Sequence, residues 1–514
     1  MATKLFMGDM PELMENILNN LNKEFYSLYS CALVSRHWCK MSIPILWQDP
    51  FSIGRNSLFI SQYFSSLDEN EKFVLKEYGI NVKFSNTLFN YARFLKVLNI
   101  YSLKLKVSIW INFQHATHTS TRFRVIDLLF KLFVESGATL HKLYFDFSDY
   151  EINPEIFYSL GRNELFFSRL QDLSLAFGSK STLYTENATV LLKILAKDVT
   201  KLSALELDEF YSDYGPQLLH ALICIIKSQE QLKQFSLIGV EFPTESYGII
   251  SALASQNNSL QEVIMECCEC STEEFKVLKN CKNFEILRIR NCYSKEILEA
   301  SLNTLEITSY SIFASNIVQV LKKSGTLLKR LKLISTDEET KEETLLLETL
   351  ISTDEETKEE TLLLETLKSF CPNITYLNIS DVGLSTQFLE LIGNLQKLQF
   401  LTLWYIGYKL DDEPEIHVMQ FAKLLPLTLQ YLDLRRSDLD SYIDTLLNNC
   451  YAPLKFLLIK RLNDEKDVKA LVEFCIRKRS LNYMGVSLIL DDNTKKEVEG
   501  YVTLISCEHI VVNC

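Results

Sequence analysis

Glycine and proline are scarce in this sequence, 15 and 10 residues in a chain of 514. So little of either excludes collagen-like and linker-rich architectures and disfavours extended disorder. Also missing is an apolar run long enough for a secretory leader, because Asp9 interrupts MATKLFMGDM at once. The longest apolar stretch, around Leu218 to Ile226, falls far short of a membrane span and contains His220. Without a secretion signal the 13 cysteines are expected to be reduced thiols rather than a disulfide framework. A cytoplasmic or nuclear protein is expected. Nor is there an excess of basic charge: 53 Lys and Arg stand against 66 Asp and Glu, a net of −13. A sequence-independent grip on nucleic acid needs a basic footprint, so neither nucleic acid nor membrane is expected as a partner.

Catalytic signatures are missing too. There is no Gly-rich phosphate loop and no Gly-x-Ser-x-Gly elbow. His115-x-x-His118 has a spacing that a metal could use, but no cysteine or acid cluster stands beside it to complete four ligands. A thiol nucleophile would have to be exposed and low in pKa, and nothing marks one out. The sequence therefore assigns no catalytic residue, no cofactor and no metal, and an enzyme is disfavoured.

What is present is leucine, arranged in a repeat. Leu-x-x-Leu-x-Leu, with other apolar residues allowed at the leucine sites, starts at Leu95, Leu140, Leu170, Leu202, Leu232, Leu260 and Phe284. It starts again at Leu302, Leu328, Ile374, Leu398, Leu429, Leu454 and Leu481. Most steps are 24 to 32 residues, a period that matches leucine-rich repeats with one strand and one helix per unit. The expected fold is therefore α/β: a leucine-rich-repeat solenoid over 95–514, with parallel strands on its concave face and helices on its convex face. Two steps are long. The 45 residues from Leu95 to Leu140 leave room for a degenerate unit around Trp110. The other long step, Leu328 to Ile374, holds a tandem duplication at 334–367: Ile334–Leu350, ISTDEETKEETLLLETL, recurs letter for letter at Ile351–Leu367. Each copy carries −5, so the pair accounts for −10 of the −13 and leaves −3 for the rest. Each also carries a capping-box pattern, Ser335-x-x-Glu338 and Ser352-x-x-Glu355, suggesting two helix starts. A shift of 17 residues turns a helix face through about 260°, so one continuous helix cannot aim Leu345–Leu347 and Leu362–Leu364 at the same core. A helical excursion on the convex side or rim is predicted.

Ahead of the repeats, Met10-Pro11-Glu12-Leu13 suits a helix start, because proline at the first position forfeits only an N–H that would be orphaned anyway. Leu13, Ile17 and Leu21 recur four apart; further apolar runs cover Leu28 to Val34 and Trp38 to Trp47. Three short helices within residues 1–50 bury little surface, and domains this small usually need a partner. Residues 51–94 read as a helical connector. Met10-Pro11-x-Leu13, Ile17, Leu21, then Cys31-Ala-Leu-Val-Ser-Arg-His-Trp38 and Leu46-Trp47, resemble the F-box motif, with Met10 in place of the usual leucine. Cys281, Cys371 and Cys450, each just ahead of a repeat, resemble the cysteine-containing repeat class often found with an F-box. The resemblance implies an SCF-type E3 ubiquitin ligase subunit that binds a Skp-type adaptor and, through it, a cullin. Met10, Pro11, Leu13, Ile17, Leu33, Val34 and Trp38 would supply the adaptor surface and the motif's own core. A repeat scaffold in a non-ligase F-box assembly is the alternative.

For the far end, strand alternation exposes the residues between the repeat leucines. Two positions after each start stand Tyr376, Phe400, Tyr431, Phe456 and Tyr483, with Trp404 and Arg435 further along their strands. They would form an aromatic stripe, and such residues favour binding an as yet unknown substrate protein. Arg288, Arg290, Arg330 and Lys332 make a second patch, which Glu262, Glu266 and Glu306 could neutralise. Cys268 and Cys292, each eight residues after a repeat start, are expected to stack in adjacent rungs.

Overall fold

Each of the fourteen predicted repeat starts is followed, two residues on, by the first residue of a strand. The computed structural model describes residues 11–22, 24–52, 56–80, 87–114, 119–147, 163–178, 182–211, 214–240, 244–245, 248–269, 272–292, 300–309, 314–335, 353–404, 414–462, 464–488, 490–507 and 510. They belong to two compact units, 1–259 and 260–514.

The first unit begins with three helices, α1 (Pro11–Asn20), α2 (Phe25–Ala32) and α3 (Arg36–Leu46). After short helical turns and α4 (Glu69–Glu77) come strands β1 (Val97–Asn99), β2 (Lys142–Asp146), β3 (Asp172–Ala176), β4 (Ala204–Phe210) and β5 (Gln234–Gly239), paired parallel in chain order. The second unit holds β6 (Glu262–Glu266), β7 (Ile286–Arg290), β8 (Thr304–Ser309), β9 (Arg330–Ser335) and β10 (Tyr376–Ser380). It continues through β11 (Phe400–Trp404), β12 (Tyr431–Arg436), β13 (Phe456–Ile459), β14 (Tyr483–Val486) and β15 (Thr503–Leu504), again parallel in chain order. This is the leucine-rich-repeat solenoid fold. The strand β15 has no Leu-x-x-Leu-x-Leu ahead of it and was not legible from the repeat.

The register is set by a repeated backbone device. In twelve of the fourteen repeats the carbonyl one residue after the start accepts two N–H groups from the next rung. Gln399 accepts from Gln430 (2.9 Å) and Tyr431 (3.0 Å), and Gln430 in turn from Lys455 (2.7 Å) and Phe456 (3.0 Å). Repeat leucines such as Leu398, Leu401 and Leu403 are thereby stacked and fully buried. At the strand exits Glu209, Cys267, Asn291 and Asp381, each seven residues after a start, adopt left-handed backbone (φ 49–55°). A side chain there costs about 1–2 kcal/mol, offset by interstrand bonds such as Cys267 N–H to the Arg290 carbonyl at 2.9 Å.

At the helix ends one column of buried side chains satisfies the backbone of the preceding repeat. Gln229 Nε2 donates to the carbonyls of Val199 (2.8 Å) and Ile225 (2.9 Å) while its Oε1 accepts from Leu202 N–H. Gln256 and Ser324 do the same one or more repeats on. Cys281, Cys371 and Cys450 occupy the equivalent place, three or four residues before a start, and are buried. The cysteines were legible in the sequence; their glutamine and serine counterparts were not, because only the shared position reveals the shared duty.

The expected degenerate unit around Trp110 is not found among the described residues. Val97 pairs directly with Lys142, and the long step is filled by two helices, α5 (Ile100–Phe113) and α6 (Thr119–Glu135). Trp110 is fully buried beneath the connector, its Nε1 donating to Ser61 Oγ at 2.9 Å. The connector itself is short turns plus α4, with Tyr63, Phe64, Leu67 and Leu75 buried while Leu58 and Phe73 stay exposed.

In the duplication the second copy is the repeat's own helix. Thr353–Phe370 packs between Ala314–Ser324 and Thr386–Asn394, burying Leu363, Leu364 and Leu367 and leaving Leu362 exposed. Its Glu359 and Glu360 accept from the Ser315 (3.0 Å) and Gly383 (2.9 Å) N–H groups of the flanking repeats. Residues 336–352, with Leu345–Leu347 and the Ser352 cap, lie outside the described residues, so the predicted excursion is described for one copy only, and there it is regular repeat structure. Joining Ser335 to Thr353 by deleting 336–352 removes one copy and keeps every described packing residue of the other. Loop-length changes cost only about 0.6 kcal/mol per doubling, so the deletion should melt cooperatively within about 1 kcal/mol of the parent chain in urea. A larger loss would show that the first copy contributes to the core.

Candidate functional site: two protein-contact surfaces

At the N-terminal end, α1 carries two apolar faces. Met14 and Leu18 are buried with Leu28, Ile45 and Leu46 in a small core, against which Leu21, Cys31, Ala32 and Trp38 pack. Leu13 and Ile17, about 100° around the helix from that face, are 42% and 40% exposed, and Leu33 and Val34 after α2 are 71% and 59% exposed. The Leu13–Ile17–Leu21 periodicity therefore mixed two faces: Leu21 turns to the core, while Leu13 and Ile17 turn outward. Phe25, Tyr26 and Tyr29 on α2 are exposed as well, with the Phe25 and Tyr29 rings stacked at 6.3 Å. These aromatics were missed because they lie outside the motif. Ser35 caps α3 by accepting from Trp38 N–H (3.2 Å), which fixes the turn that presents Leu33 and Val34. Pro11 opens α1; Met10 lies outside the described residues.

This end is firmly joined to the first repeat. The Gln48 carbonyl accepts from both Lys96 and Val97 N–H (2.9 Å each), reproducing the rung pattern ahead of the first strand. Trp47 stacks on Tyr91 at 4.0 Å, and Phe51 and Tyr63 meet Phe133 of α6.

In the second unit the five aromatics named from sequence do form one ladder. Tyr376, Phe400, Tyr431, Phe456 and Tyr483 face one another across paired strands, with successive ring centroids 6.3, 5.9, 6.3 and 5.2 Å apart. They are not equally available. Tyr376 and Tyr431 are only 3% exposed, Phe400, Trp404 and Phe456 are half-buried, and Tyr483 is open. Arg330 covers the Tyr376 ring at 4.6 Å. Arg435 is turned back on its own strand, its Nε and Nη2 donating to both carboxylate oxygens of Asp433 at 3.0 and 2.8 Å. That bidentate bond, set against the cost of burial, holds its guanidinium even further above the usual range. A register shift after Thr402 puts Arg436, not Arg435, opposite Trp404, where it stacks at 4.2 Å. One extra residue in a bulge re-aims the side chains that come after it, and spacing alone does not reveal one.

The basic patch is self-neutralised. Glu306, 2% exposed as a side chain, accepts from Arg288 (2.7 Å), Arg290 (3.1 Å) and Lys332 (2.8 Å), and Arg288 also donates to Glu262 at 2.8 Å. Burial alone would raise the Glu306 carboxyl, but the three cationic donors outweigh it and hold it down at about 2. Cys268 and Cys292 do stack: the Cys268 N–H donates to Cys292 Sγ at 3.4 Å, and each thiol donates back to a carbonyl of its own strand. The hydrogen bond with Cys268 draws the Cys292 thiol down, whereas burial pushes Cys371 up to about 12 and Cys450 and Cys475 up to about 11. Among the described residues no group of three His, Cys, Asp or Glu side chains is arranged for a metal ion; His115 and His118 lie outside them.

No protein-family model matches the chain, and no curated protein matches it. Solved structures similar to it include the yeast Rad7–Elc1 complex, at 15% identity and TM-score 0.36 over 79% of this chain and 92% of that one. Another is an internalin (InlF) from Listeria monocytogenes, at 13% identity and TM-score 0.30 over 53% and 76%. Likenesses this distant say nothing about what the chain binds.

Glu306 gives the second unit a pH signature. Its folded value of about 2 lies below the ordinary 4.5, so its contribution is complete above about pH 4.5 and is lost as pH falls toward 2. The shift corresponds to about 3 kcal/mol. Urea denaturation of Glu306→Gln at pH 7 should show a loss of similar size, since breaking a buried ion cluster costs about 3–5 kcal/mol. The variant should also lose less stability than the parent between pH 5 and 2.5; equal acid slopes would remove Glu306 from the account.

Proposed function

We propose that this chain is the substrate-recognition subunit of an SCF-type E3 ubiquitin ligase, working in the cytoplasm or nucleus without catalysis of its own. The N-terminal helices hold a Skp-type adaptor and, through it, a cullin; the strand face of the repeats holds the substrate protein. The observation that carries the reading is the second apolar face of α1. Leu13 and Ile17, with Leu33 and Val34, stand in water although the small core is already completed by Met14, Leu18, Leu28, Ile45 and Leu46. Exposed apolar side chains beyond what a core requires point to a contact surface, and these residues lie within the stretch that resembles an F-box. The repeats supply what else a receptor needs: many parallel rungs offering outward side chains, aromatic among them.

The test is co-expression with a Skp-type adaptor and recovery of the complex by size exclusion. The parent chain should recover adaptor and then cullin. Leu13→Asp with Ile17→Asp should weaken adaptor binding at least 30-fold, taking about 2 kcal/mol for one central apolar anchor, while leaving the melting transition in place. Trp38→Ala should behave differently: the half-buried indole packs on the small core, so its loss, below the ~3–5 kcal/mol of a fully buried tryptophan, should destabilise α1–α3 as well as weaken recovery. A folded parent chain that never recovers the adaptor sinks the ligase reading; adaptor without cullin favours a non-ligase F-box assembly.

A further inference from the structure

The middle of the aromatic ladder, Phe400, Tyr431 and Phe456, is covered by the chain's own C-terminal residues. Tyr431 and Leu458 are buried in a cluster with Ile510, and Phe400, Phe456, Ile505 and Cys507 pack against it. Leu458 lies on the outward side of β13, opposite Asp433 and Gly485 in the neighbouring rungs, where a repeat ordinarily shows a polar residue to water. Next to it, Gly485 carries no side chain. A Cβ there would lie 2.8 Å from Cys507 Sγ and 3.3 Å from Leu458 Cγ, so the glycine is what admits Cys507. A glycine inside a strand marks a close approach of this kind. The chain thus leaves β15 and returns across the outward side of the preceding strands, where no repeat core exists.

The grip of this segment is mainly apolar. After Ile505 N–H donates to the Met484 carbonyl (3.0 Å), the backbone hydrogen bond of the described tail residues is internal, Ile510 N–H to the Cys507 carbonyl (3.3 Å). Among the described residues, side chains hold Cys507 and Ile510 on the rings. The nearby charges are already committed, Arg435 to Asp433 and Arg436 to Trp404, so the site favours aliphatic or thiol side chains at the positions held by Ile505, Cys507 and Ile510.

We propose that Phe400, Tyr431, Phe456, Leu458 and the space over Gly485 form a groove for an extended apolar peptide segment, and that Ile505, Cys507 and Ile510 are its intramolecular occupant, released when a partner segment of the same chemistry enters. This deepens the reading of the strand face as the substrate-binding side and rests on it. The probe is a fluorescent peptide of residues 505–514, ISCEHIVVNC, titrated against full-length protein by anisotropy under reducing conditions. The parent chain should bind it at least 10-fold more weakly than the full-length Cys507→Asp/Ile510→Asp variant, whose own tail is expelled. A second variant, ending at Leu504, should match the expelled one. Adding Phe456→Ala to either should return binding to the parent's level. Equal binding by parent and expelled chains, no binding by expelled chains that melt as the parent does, or loss of the cooperative melt in both variants would each overturn the proposal, the last by making the tail an integral part of the fold. Adaptor recovery measured on the same preparations keeps the two readings apart: its loss condemns the ligase assignment and leaves the peptide result standing.

Discussion

The constraint on which the structure depends is the shared carbonyl at the start of most rungs. Because Gln399, Gln430 and their counterparts accept two N–H groups from the next repeat, neighbouring strands cannot slip, and residues at equal repeat positions fall into columns about 4.8 Å apart. Chemistry that is dispersed along the sequence is thereby concentrated. Leucines become a continuous core, aromatics a ladder, and three cations collect around the single carboxylate of Glu306. Even the polar demands of the backbone are met by column, with Gln229, Gln256 and Ser324 answering at the place where other repeats use cysteine.

The same rule explains what could be read from sequence. Strand positions were legible because the leucine spacing and the strand start are locked two residues apart. The columns of Tyr376 through Tyr483 and of Cys268 with Cys292 came from counting. Counting fails where the chain inserts a residue or leaves the rung. The bulge after Thr402 exchanged Arg435 for Arg436 beside Trp404, and the two helices α5 and α6 stood where a further unit had been expected. In α1 the period of four hid two faces, since Leu13 and Met14 are adjacent in sequence yet point to water and core. The tail was invisible to periodicity altogether, although Leu458 and Gly485 at outward strand positions were a local signal: an apolar residue where a polar one belongs, beside a missing side chain.

The two surfaces differ in a way that bears on their use. Leu13, Ile17, Leu33 and Val34 are left exposed, and exposed apolar surface favours association with a partner. The ladder is the reverse case: its central ring is almost fully buried under residues of the same chain. An occupant in cis is present at a high effective concentration, so weak apolar contacts suffice to keep the rings dry without a permanent partner. Any segment that replaces it must outcompete a tethered rival, which filters out weak and non-specific binders. An uncovered apolar surface on the N-terminal helices and a guarded groove on the strand face would, on the proposed reading, suit one constant partner and others that come and go.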